Sequence, residues 1–395
     1  MFPRIFVLTW IAYSGYYLCR KNFSVMMPYL KTDLGYSSEA LAHVLFIYGI
    51  SYAAGQFAMG HLADRMGSRV VVTAGAIGSA LCSALTGTGF PLPIAQGVNG
   101  MAQAAGWPGV LRMAREWFPA KNTGVIMSWW GTHLVVGGFV ATNLAAKVCE
   151  SGWRRGAWIP AVVLSLIGLV FGLLARDKSD AGVRSRGFAP EVPFAPTKPL
   201  IAIAVMYFFV KMARYSFLFW LPLYMTEHLN YSPVQAGYAS SAFELVGFGG
   251  VLMAGYASEH VTRGSRIPVA SAMMAVLAAL CLLYPKLSSA GLESNLAGIA
   301  LIGAFTFGPD TLMAGVGTQE AALPGTTARA AGFVNGVGSV GQVLSPYLVA
   351  LVSSRFGWEA LFASLSIAAF LGAASLATQC RVFNVWTSRT GAMGR

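Results

Sequence analysis

Apolar stretches close to twenty residues long follow one another through the whole chain, and each is long enough for a helix to cross a membrane. Charged residues make up only 11% of the 395 residues, whereas soluble domains carry about 25%. These features exclude a soluble fold and predict an all-α integral membrane protein. We predict twelve transmembrane helices, over residues 5–30, 39–60, 70–90, 93–114, 122–148, 153–176, 199–224, 232–257, 267–287, 294–318, 327–353 and 358–380.

A polar segment rich in proline and glycine, DKSDAGVRSRGFAPEVPFAPTK, separates the sixth span from the seventh. This composition is typical of a linker. We therefore predict two six-helix bundles: an N-terminal bundle over residues 1–176, a cytoplasmic linker over 177–198, a C-terminal bundle over 199–381 and a cytoplasmic tail over 382–395.

Lysine and arginine are unevenly distributed between the two sets of loops. With the N-terminus in the cytoplasm, most of the 27 basic residues fall in cytoplasmic loops, as the positive-inside rule requires. The first residues run into a full-length span without a small-residue cleavage site, which favours a first transmembrane helix over a signal peptide. We expect a multi-pass protein of a bacterial inner membrane with both termini in the cytoplasm.

Several classes of function are not supported by the sequence. The net charge of +12 comes from basic residues scattered between apolar spans, which does not indicate nucleic-acid binding. The five cysteines have neither metal-ligand nor disulfide spacing. The run Gly336-Val337-Gly338-Ser339-Val340-Gly341 fits G-x-G-x-x-G, but inside a span it favours close helix packing. We expect no enzyme activity, cofactor, metal site or nucleic-acid partner, and a monomer in the lipid bilayer.

Six ionisable residues lie inside the predicted spans, namely Arg20, Lys21, Lys211, Arg214, Glu244 and Asp310. A charge at the centre of a transmembrane helix costs roughly 2.5–3.5 kcal/mol even on a lenient scale. Arg20 and Arg214 lie roughly 22 Å from the start of their spans, too deep to reach the interface easily. Each must therefore face a water-filled cavity, an acidic partner or a ligand.

The balance of these charges points to an anion. Four cations against two anions leave a surplus that a phosphate monoester, at about −1.5 to −2, would complement. Arginine binds phosphate oxygens bidentately, so two arginines can hold one phosphate. The alternative is that Arg20 and Arg214 pair internally with Glu244 and Asp310, although we expect Glu244 to pair with Lys21.

The two halves of the sequence repeat each other. GHLADRMGSR follows the second span, and a degenerate copy that ends in Arg263-Gly264-Ser265-Arg266 follows the eighth. Parallel six-helix repeats are typical of transporters with a midplane substrate site. The first loop resembles the signature loop of the major facilitator superfamily, which implies that fold and a conformational latch rather than a purely structural turn. The implied latch residues are Gly60, Asp64, Arg65, Gly67 and Arg69.

A narrower resemblance lies within the spans. YSGYYLCRKNFSVMMPYL, with Gly106-Trp107-Pro108, Arg214-Tyr215 and Phe307-Gly308-Pro309, is similar to the organophosphate:phosphate antiporter family. The resemblance implies that two arginines bind phosphate, that a histidine assists and that tyrosines line the site. The implied substrate-binding residues are Arg20, Arg214, His133, Tyr13, Tyr17, Tyr52 and Gln56.

The chain departs from that family at particular positions. Gln56 stands where glycerol-phosphate members have a lysine, and Lys211 and Asp310 are additional charges. The FGPD run that contains Asp310 is more similar to the hexose-phosphate uptake and sensor branches. The nature of the organic part of the ligand therefore stays open.

Three hypotheses follow from these features. The first is alternating-access antiport of a small phosphorylated anion against inorganic phosphate. The second is a membrane sensor that binds a sugar phosphate and signals without transport. The third is a proton-coupled exporter of another solute, which fits the fold but fits the positive charge of the spans poorly.

Overall fold

A computed structural model describes residues 2–118, 126, 129–177, 195–262, 265–323 and 327–379, with all side chains in these ranges except those of residues 57, 61, 64, 65, 115 and 327–329. These residues are almost entirely helical. The helices are α1 (Phe2–Tyr16), α2 (Leu18–Leu34), α3 (Ser38–Met66), α4 (Ser68–Thr86), α5 (Leu92–Gln103), α6 (Gly106–Trp117), α7 (His133–Cys149), α8 (Trp153–Leu174), α9 (Lys198–His228), α10 (Pro233–Ser240), α11 (Ala242–His260), α12 (Arg266–Ser289), α13 (Leu292–Leu312), α14 (Thr318–Ala321) and α15 (Thr327–Ala377). A π-helix, Met313–Gly317, joins α13 to α14.

Helices cover most of each predicted span where the structure describes it, which confirms the all-α membrane architecture. Within the described residues, eight helices are long and apolar enough to cross a membrane. The segment Ala330–Ala377 contains two predicted spans, because α15 is two helices joined at Gly357. Gly357 has φ 85°, a backbone conformation that glycine adopts without steric cost.

The first, fourth, fifth and eighth spans are each divided by a turn, although we predicted one continuous helix in each. The divisions fall at Tyr17, at residues 104–105, at Thr132 and at Ser241. At the first of them, Arg20 N donates to Tyr17 O over 3.1 Å, a bond to the third rather than the fourth preceding residue. Such a tightened turn locally changes the direction of the helix.

Irregular helical turns lie beside the charged residues of the spans. Arg20 follows the division at Tyr17, Glu244 follows the division at Ser241, and Asp310 immediately precedes the end of α13, where the π-helix begins. Departures from α-helical hydrogen bonding are frequent at functional positions. Four of the six charged residues, Arg20, Lys21, Glu244 and Asp310, therefore lie close to an irregular turn, whereas Lys211 and Arg214 lie within the uninterrupted helix α9.

The described residues form two compact units. Unit 1 contains those within Met1–Arg184 and Leu218–Glu244, and unit 2 those within Ser185–Phe217 and Leu245–Arg395. The segment 218–244 belongs to the second half of the sequence, but it packs with the first. Ser24 Oγ donates to Phe219 O over 2.7 Å. The predicted linker, 177–198, falls largely outside the described residues, so the predicted division into two six-helix bundles stays a prediction.

Small residues bring the helices of unit 2 close together. A methyl group added to Gly250 of α11 would lie 2.0 Å from the carbonyl oxygen of Ala304 in α13. A methyl group on Gly247 would lie 2.4 Å from the ring of Phe307. Because only hydrogen atoms fit at these contacts, α11 fixes the position of α13 and of the residues that follow Phe307.

Candidate functional site

Arg20 is buried in unit 1, with 7% of its surface exposed. Its guanidinium carbon lies 5.0 Å from the ring centre of Tyr17 and 5.1 Å from that of Tyr52. Its Nη2 atom is buried and has no hydrogen-bond partner among the described residues. Aromatic faces stabilise a cation without neutralising it, so this arginine keeps its positive charge and an unused donor.

Gln103 of α5 holds Arg20 in place. Arg20 Nε donates to Gln103 Oε1 over 3.1 Å. The amide nitrogen of Gln103 donates to Ser79 Oγ at 2.7 Å and to Tyr16 O at 2.9 Å. Ser79 in turn donates to Asn99 Oδ1 over 2.7 Å. This connected set of neutral groups fixes the glutamine, and through it the guanidinium, without placing a carboxylate beside it.

His133 is fully buried next to this arrangement. Its Nδ1 is bonded to the carbonyl oxygen of Trp130, and because a carbonyl only accepts, Nδ1 carries the proton. Its Nε2 has no partner among the described residues. The ring of Tyr13 meets the His133 ring edge to face at 4.8 Å. Neutral His133 therefore presents a lone pair at Nε2, and it can donate to an anion only as the imidazolium.

Lys21 and Glu244 form the ion pair that the sequence analysis expected. Lys21 Nζ lies 2.6 Å from Glu244 Oε1, with 4% and 3% of the two side chains exposed. Lys21 Nζ also donates to Leu218 O over 2.8 Å. A methyl group on Gly138 of α7 would lie 3.1 Å from Glu244 Cγ, so the carboxylate is tightly enclosed. These two charges compensate each other within unit 1.

In unit 2 the second arginine has a carboxylate partner. Arg214 Nη1 lies 2.5 Å from Asp310 Oδ2, with 16% and 6% of the side chains exposed. The guanidinium carbon of Arg214 lies 4.4 Å from the ring centre of Phe307. Of the two internal pairings that the sequence left open, the structure therefore contains the one between Arg214 and Asp310, and Arg20 has no ion-pair partner among the described carboxylates.

Lys211, one turn before Arg214 in α9, is held by neutral groups. Its Nζ donates to Asn335 Oδ1 over 2.8 Å and to Ser339 Oγ over 3.4 Å. It also lies 4.9 Å from the ring centre of Tyr207. Within the described residues, Arg20 and Lys211 are thus the buried intramembrane cations without a carboxylate partner. The surplus of positive charge expected from the sequence is present. The uncompensated cation of unit 2 is Lys211, however, and not Arg214 as expected.

Of the other predicted site residues, Tyr52 contacts Arg20, and Gln56 lies one helical turn further along α3. The amide nitrogen of Gln56 donates to Ala104 O over 3.4 Å, at the division between α5 and α6. Tyr52 is stacked on Tyr48, with ring centres 6.1 Å apart. Neither Gln103 nor Tyr48 was predicted from the sequence. Polar residues inside an apolar span are the signal that would have indicated Gln103, whereas a tyrosine in a span carries no such signal.

The predicted latch loop lies at the junction of α3 and α4 in unit 1. Gly67 has φ 90°, and Arg69 N donates to both carboxylate oxygens of Asp177, at 3.3 and 3.2 Å. Arg69 Nε donates to Gly172 O over 2.5 Å. Asp177 was not predicted; it satisfies a free N–H at the start of α4.

Two further latch residues lie outside the described side chains, namely Asp64 and Arg65. Gly60, the first residue of the loop, lies close to Pro108: a methyl group on it would be 3.8 Å from Pro108 Cβ. The role of the loop as a latch stays a prediction. In the described part of the chain, no group of three or more metal-ligand side chains comes together.

Comparisons with known proteins agree with this architecture. The family model described as Major Facilitator Superfamily matches residues 9–328. The glycerol-3-phosphate transporter of Bacillus subtilis is 28% identical, covering 95% of this chain and 91% of that protein. A probable hexose phosphate transport protein of Chlamydia muridarum is 26% identical, covering 93% and 88%. These relatives are consistent with the organophosphate:phosphate antiporter resemblance.

Solved structures show the same fold. A bacterial homologue of the human lysosomal transporter Spinster superposes with a TM-score of 0.74 at 16% identity, covering 98% of this chain and 96% of that one. A D-xylose–proton symporter superposes with a TM-score of 0.69 at 15% identity, covering 95% and 97%. The relatives are transporters rather than enzymes, and the chain belongs to the Major Facilitator Superfamily.

Proposed function

We propose that the protein is a secondary transporter that exchanges a small phosphorylated anion for inorganic phosphate by alternating access. Arg20 carries this proposal. It is buried, positioned by Gln103 through a neutral amide, and has a donor without a partner among the described residues. A buried guanidinium that is positioned but not neutralised is suited to bind an anion bidentately.

The named substrates of the relatives support the chemical class of the ligand. The Bacillus subtilis relative is a glycerol-3-phosphate transporter, and the Chlamydia muridarum relative is a probable hexose phosphate transport protein. Glycerol phosphate and hexose phosphate share the phosphate monoester and differ in the organic part. In our proposal Arg20 and Arg214 bind the phosphate, and the tyrosines Tyr13, Tyr17 and Tyr52 enclose it, in a bacterial inner membrane with both termini cytoplasmic.

The proposal also gives a reason for exchange rather than net movement. An unoccupied Arg20 would have to be enclosed as a bare charge, which is costly in a low-dielectric interior. A bound phosphate compensates that charge, so the conformational change is easier with ligand than without it. The protein would therefore move one anion in each direction per cycle.

The test is exchange in liposomes that contain the purified full-length protein. Vesicles loaded with inorganic phosphate should take up radiolabelled phosphate or a phosphorylated sugar, and empty vesicles should not. Arg20→Lys keeps the charge but loses the bidentate geometry, and we expect transport efficiency to fall about tenfold to hundredfold. Arg155→Lys, at an exposed arginine of α8, is the matched control and should behave like the unchanged protein.

Other outcomes would favour the alternatives. Phosphate-dependent thermal stabilisation without any exchange would support the sensor hypothesis. Saturable binding of a cationic dye that phosphate does not affect would support the exporter hypothesis. Exchange that is unchanged in Arg20→Lys would refute the proposed role of Arg20.

A further inference from the structure

Lys211 of α9 is a buried cation that the proposed transport cycle does not use. Its exposed fraction is 7%, and its ammonium is bonded to the neutral oxygens of Asn335 and Ser339. Among the described residues no carboxylate lies within ion-pair distance of it, since Asp310 pairs with Arg214. Neutral partners only partly offset the cost of burying a charge. Lys211 therefore adds an uncompensated positive charge to unit 2.

Close packing of α15 on α9 fixes the position of this lysine. A methyl group on Gly338 would lie 2.4 Å from Tyr207 Cδ1 and 3.1 Å from Lys211 Cδ. The ammonium nitrogen also lies 4.9 Å from the ring centre of Tyr207, and an aromatic face stabilises a cation without neutralising it. The stem of the side chain is thus enclosed, and the ammonium is held at a defined point beside α15.

The partners of Lys211 lie on a polar face of α15. Asn335 and Ser339 are one helical turn apart, and Gln342 continues the same face. The exposed apolar residues of this part of the helix lie on the opposite side, namely Val340, Leu344 and Leu351. Polar side chains inside a span face the bundle interior or a water-filled cavity rather than lipid. Because Asn335 is exposed, the polar face beside the ammonium is open to water and to a solute.

The ammonium of Lys211 can make one more hydrogen bond. An ammonium has three donors, and Lys211 donates to two acceptors among the described residues, with a long bond of 3.4 Å to Ser339. A ligand hydroxyl would be another neutral acceptor and would leave the charge uncompensated. A carboxylate would compensate the charge, and the amide of Asn335 can donate to its second oxygen. These groups therefore favour a carboxylate over a hydroxyl.

Arg214 lies one turn after Lys211 on the same helix. Residues three positions apart on a helix have Cβ atoms about 5–6 Å apart, so a molecule that binds both side chains needs two anionic groups separated by a few bonds. A guanidinium matches two oxygens of a phosphate, whereas an ammonium is a compact point charge. This arrangement suits a phosphate at the arginine and a carboxylate at the lysine.

On this basis we infer that Lys211 binds a carboxylate of the organic ligand, and that the protein prefers small phosphorylated carboxylic acids to phosphorylated polyols. The inference rests on the proposed function, in which Arg20 and Arg214 bind the phosphate. It makes Lys211 a specificity-determining residue and identifies the organic part of the ligand, which the sequence left open.

The experiment compares two three-carbon compounds that differ in one group. Phosphoglycerate with its phosphate on the terminal hydroxyl has a carboxylate where glycerol phosphate has a hydroxymethyl group. Each compound competes with radiolabelled inorganic phosphate for exchange into phosphate-loaded liposomes that contain the purified full-length protein. We expect the unchanged protein to prefer phosphoglycerate by about tenfold to hundredfold, the effect of one hydrogen bond to a charged group.

Substitutions of Lys211 identify the source of the preference. Lys211→Met keeps an unbranched side chain but removes the charge, and Lys211→Gln also keeps a polar end for Asn335 and Ser339. Loss of a positive charge weakens the binding of both compounds, so the ratio of the two affinities is the informative quantity. The ratio should fall about tenfold to hundredfold in both variants. Lys286→Met removes an exposed lysine of α12 and should match the unchanged protein.

Each outcome decides the inference. If inorganic phosphate exchanges but the unchanged protein does not prefer phosphoglycerate, the inference is wrong and the proposed function stands; this comparison needs no variant to fold. An unchanged ratio in Lys211→Gln would assign Lys211 to the packing of α15 on α9 and would also overturn the inference. If no phosphate-dependent exchange occurs, the proposed function fails and the inference fails with it.

Discussion

Arg20 donates a hydrogen bond from Nε to the amide oxygen of Gln103 over 3.1 Å, so the buried guanidinium is positioned without being neutralised. This is the relationship that distinguishes Arg20 from Arg214, whose partner is a carboxylate. If Arg20 binds an anion, the affinity for that anion should therefore depend on the charge of residue 103, and not only on its hydrogen bond to Arg20.

We expect Gln103→Glu to weaken phosphate binding more than Gln103→Leu. The leucine removes the hydrogen bond to the charged Arg20, worth about 1.5–3 kcal/mol, together with the bonds from the Gln103 amide to Ser79 and Tyr16. The glutamate keeps the bond but adds a carboxylate that competes with the anion. Phosphate affinity from thermal-shift titration measures both effects. Gln96→Glu, another buried position of α5, controls for the cost of a new charge. Equal affinity in Gln103→Glu and the unchanged protein would contradict this account of Arg20.

Much of the membrane architecture could be predicted from the sequence because it depends on long apolar segments. Bilayer thickness alone requires about twenty apolar residues per helix, and the segments of that length are helical in the structure. Arg20 and Lys21 were recognised because a charge in a span needs a partner. The pairing of Lys21 with Glu244 followed from the same requirement.

The divisions of the helices and the partner of Arg214 could not be predicted in this way. At Tyr17 a backbone N–H bonds to the carbonyl three residues earlier instead of four. The amino-acid composition of the span gives no sign of this change. Whether Asp310 reaches Arg214 depends on how closely α13 packs, and the contact of Gly250 with Ala304 sets that distance. Sequence spacing within one helix gives no information about the separation of two helices.

The buried pair of Lys21 and Glu244 should show strong coupling in a double-mutant cycle. Removing one partner leaves an uncompensated charge in an enclosed site, which costs about 3–5 kcal/mol, whereas replacing both with apolar residues is often neutral. We therefore expect Lys21→Met and Glu244→Leu each to lower the thermal unfolding temperature in detergent, and the double variant to recover most of the loss. Additive losses would show that the two residues act independently.

The loop between α3 and α4 should tolerate no side chain at Gly67. A methyl group there would lie 2.4 Å from Asp177 Oδ2, and its φ of 90° disfavours other residues. We expect Gly67→Ala to displace Asp177 from the start of α4 and to cost about 1–3 kcal/mol. Gly35→Ala is the control: Gly35 has φ 70° but open space around it. This variant should lose only the stability that the unfavourable backbone conformation costs. If Gly67 belongs to a latch, its variant should also lose exchange rate at a temperature where the protein stays folded.

The G-x-G-x-x-G run gives a last test, because its glycines have different surroundings along one helix of α15. A methyl group on Gly341 would lie 2.1 Å from the carbonyl oxygen of Phe208, whereas one on Gly336 would meet nothing within 4 Å. Overpacking a close helix contact costs about 1–3 kcal/mol, and an alanine in open space on a helix is favourable. We expect Gly341→Ala to lower the thermal unfolding temperature and Gly336→Ala to leave it unchanged or raise it. If the run bound a nucleotide instead, adenosine triphosphate would raise the thermal unfolding temperature of the unchanged protein. Both variants would then lose that stabilisation. Absence of any nucleotide effect, together with a loss confined to Gly341→Ala, would establish that the run serves the contact between α15 and α9.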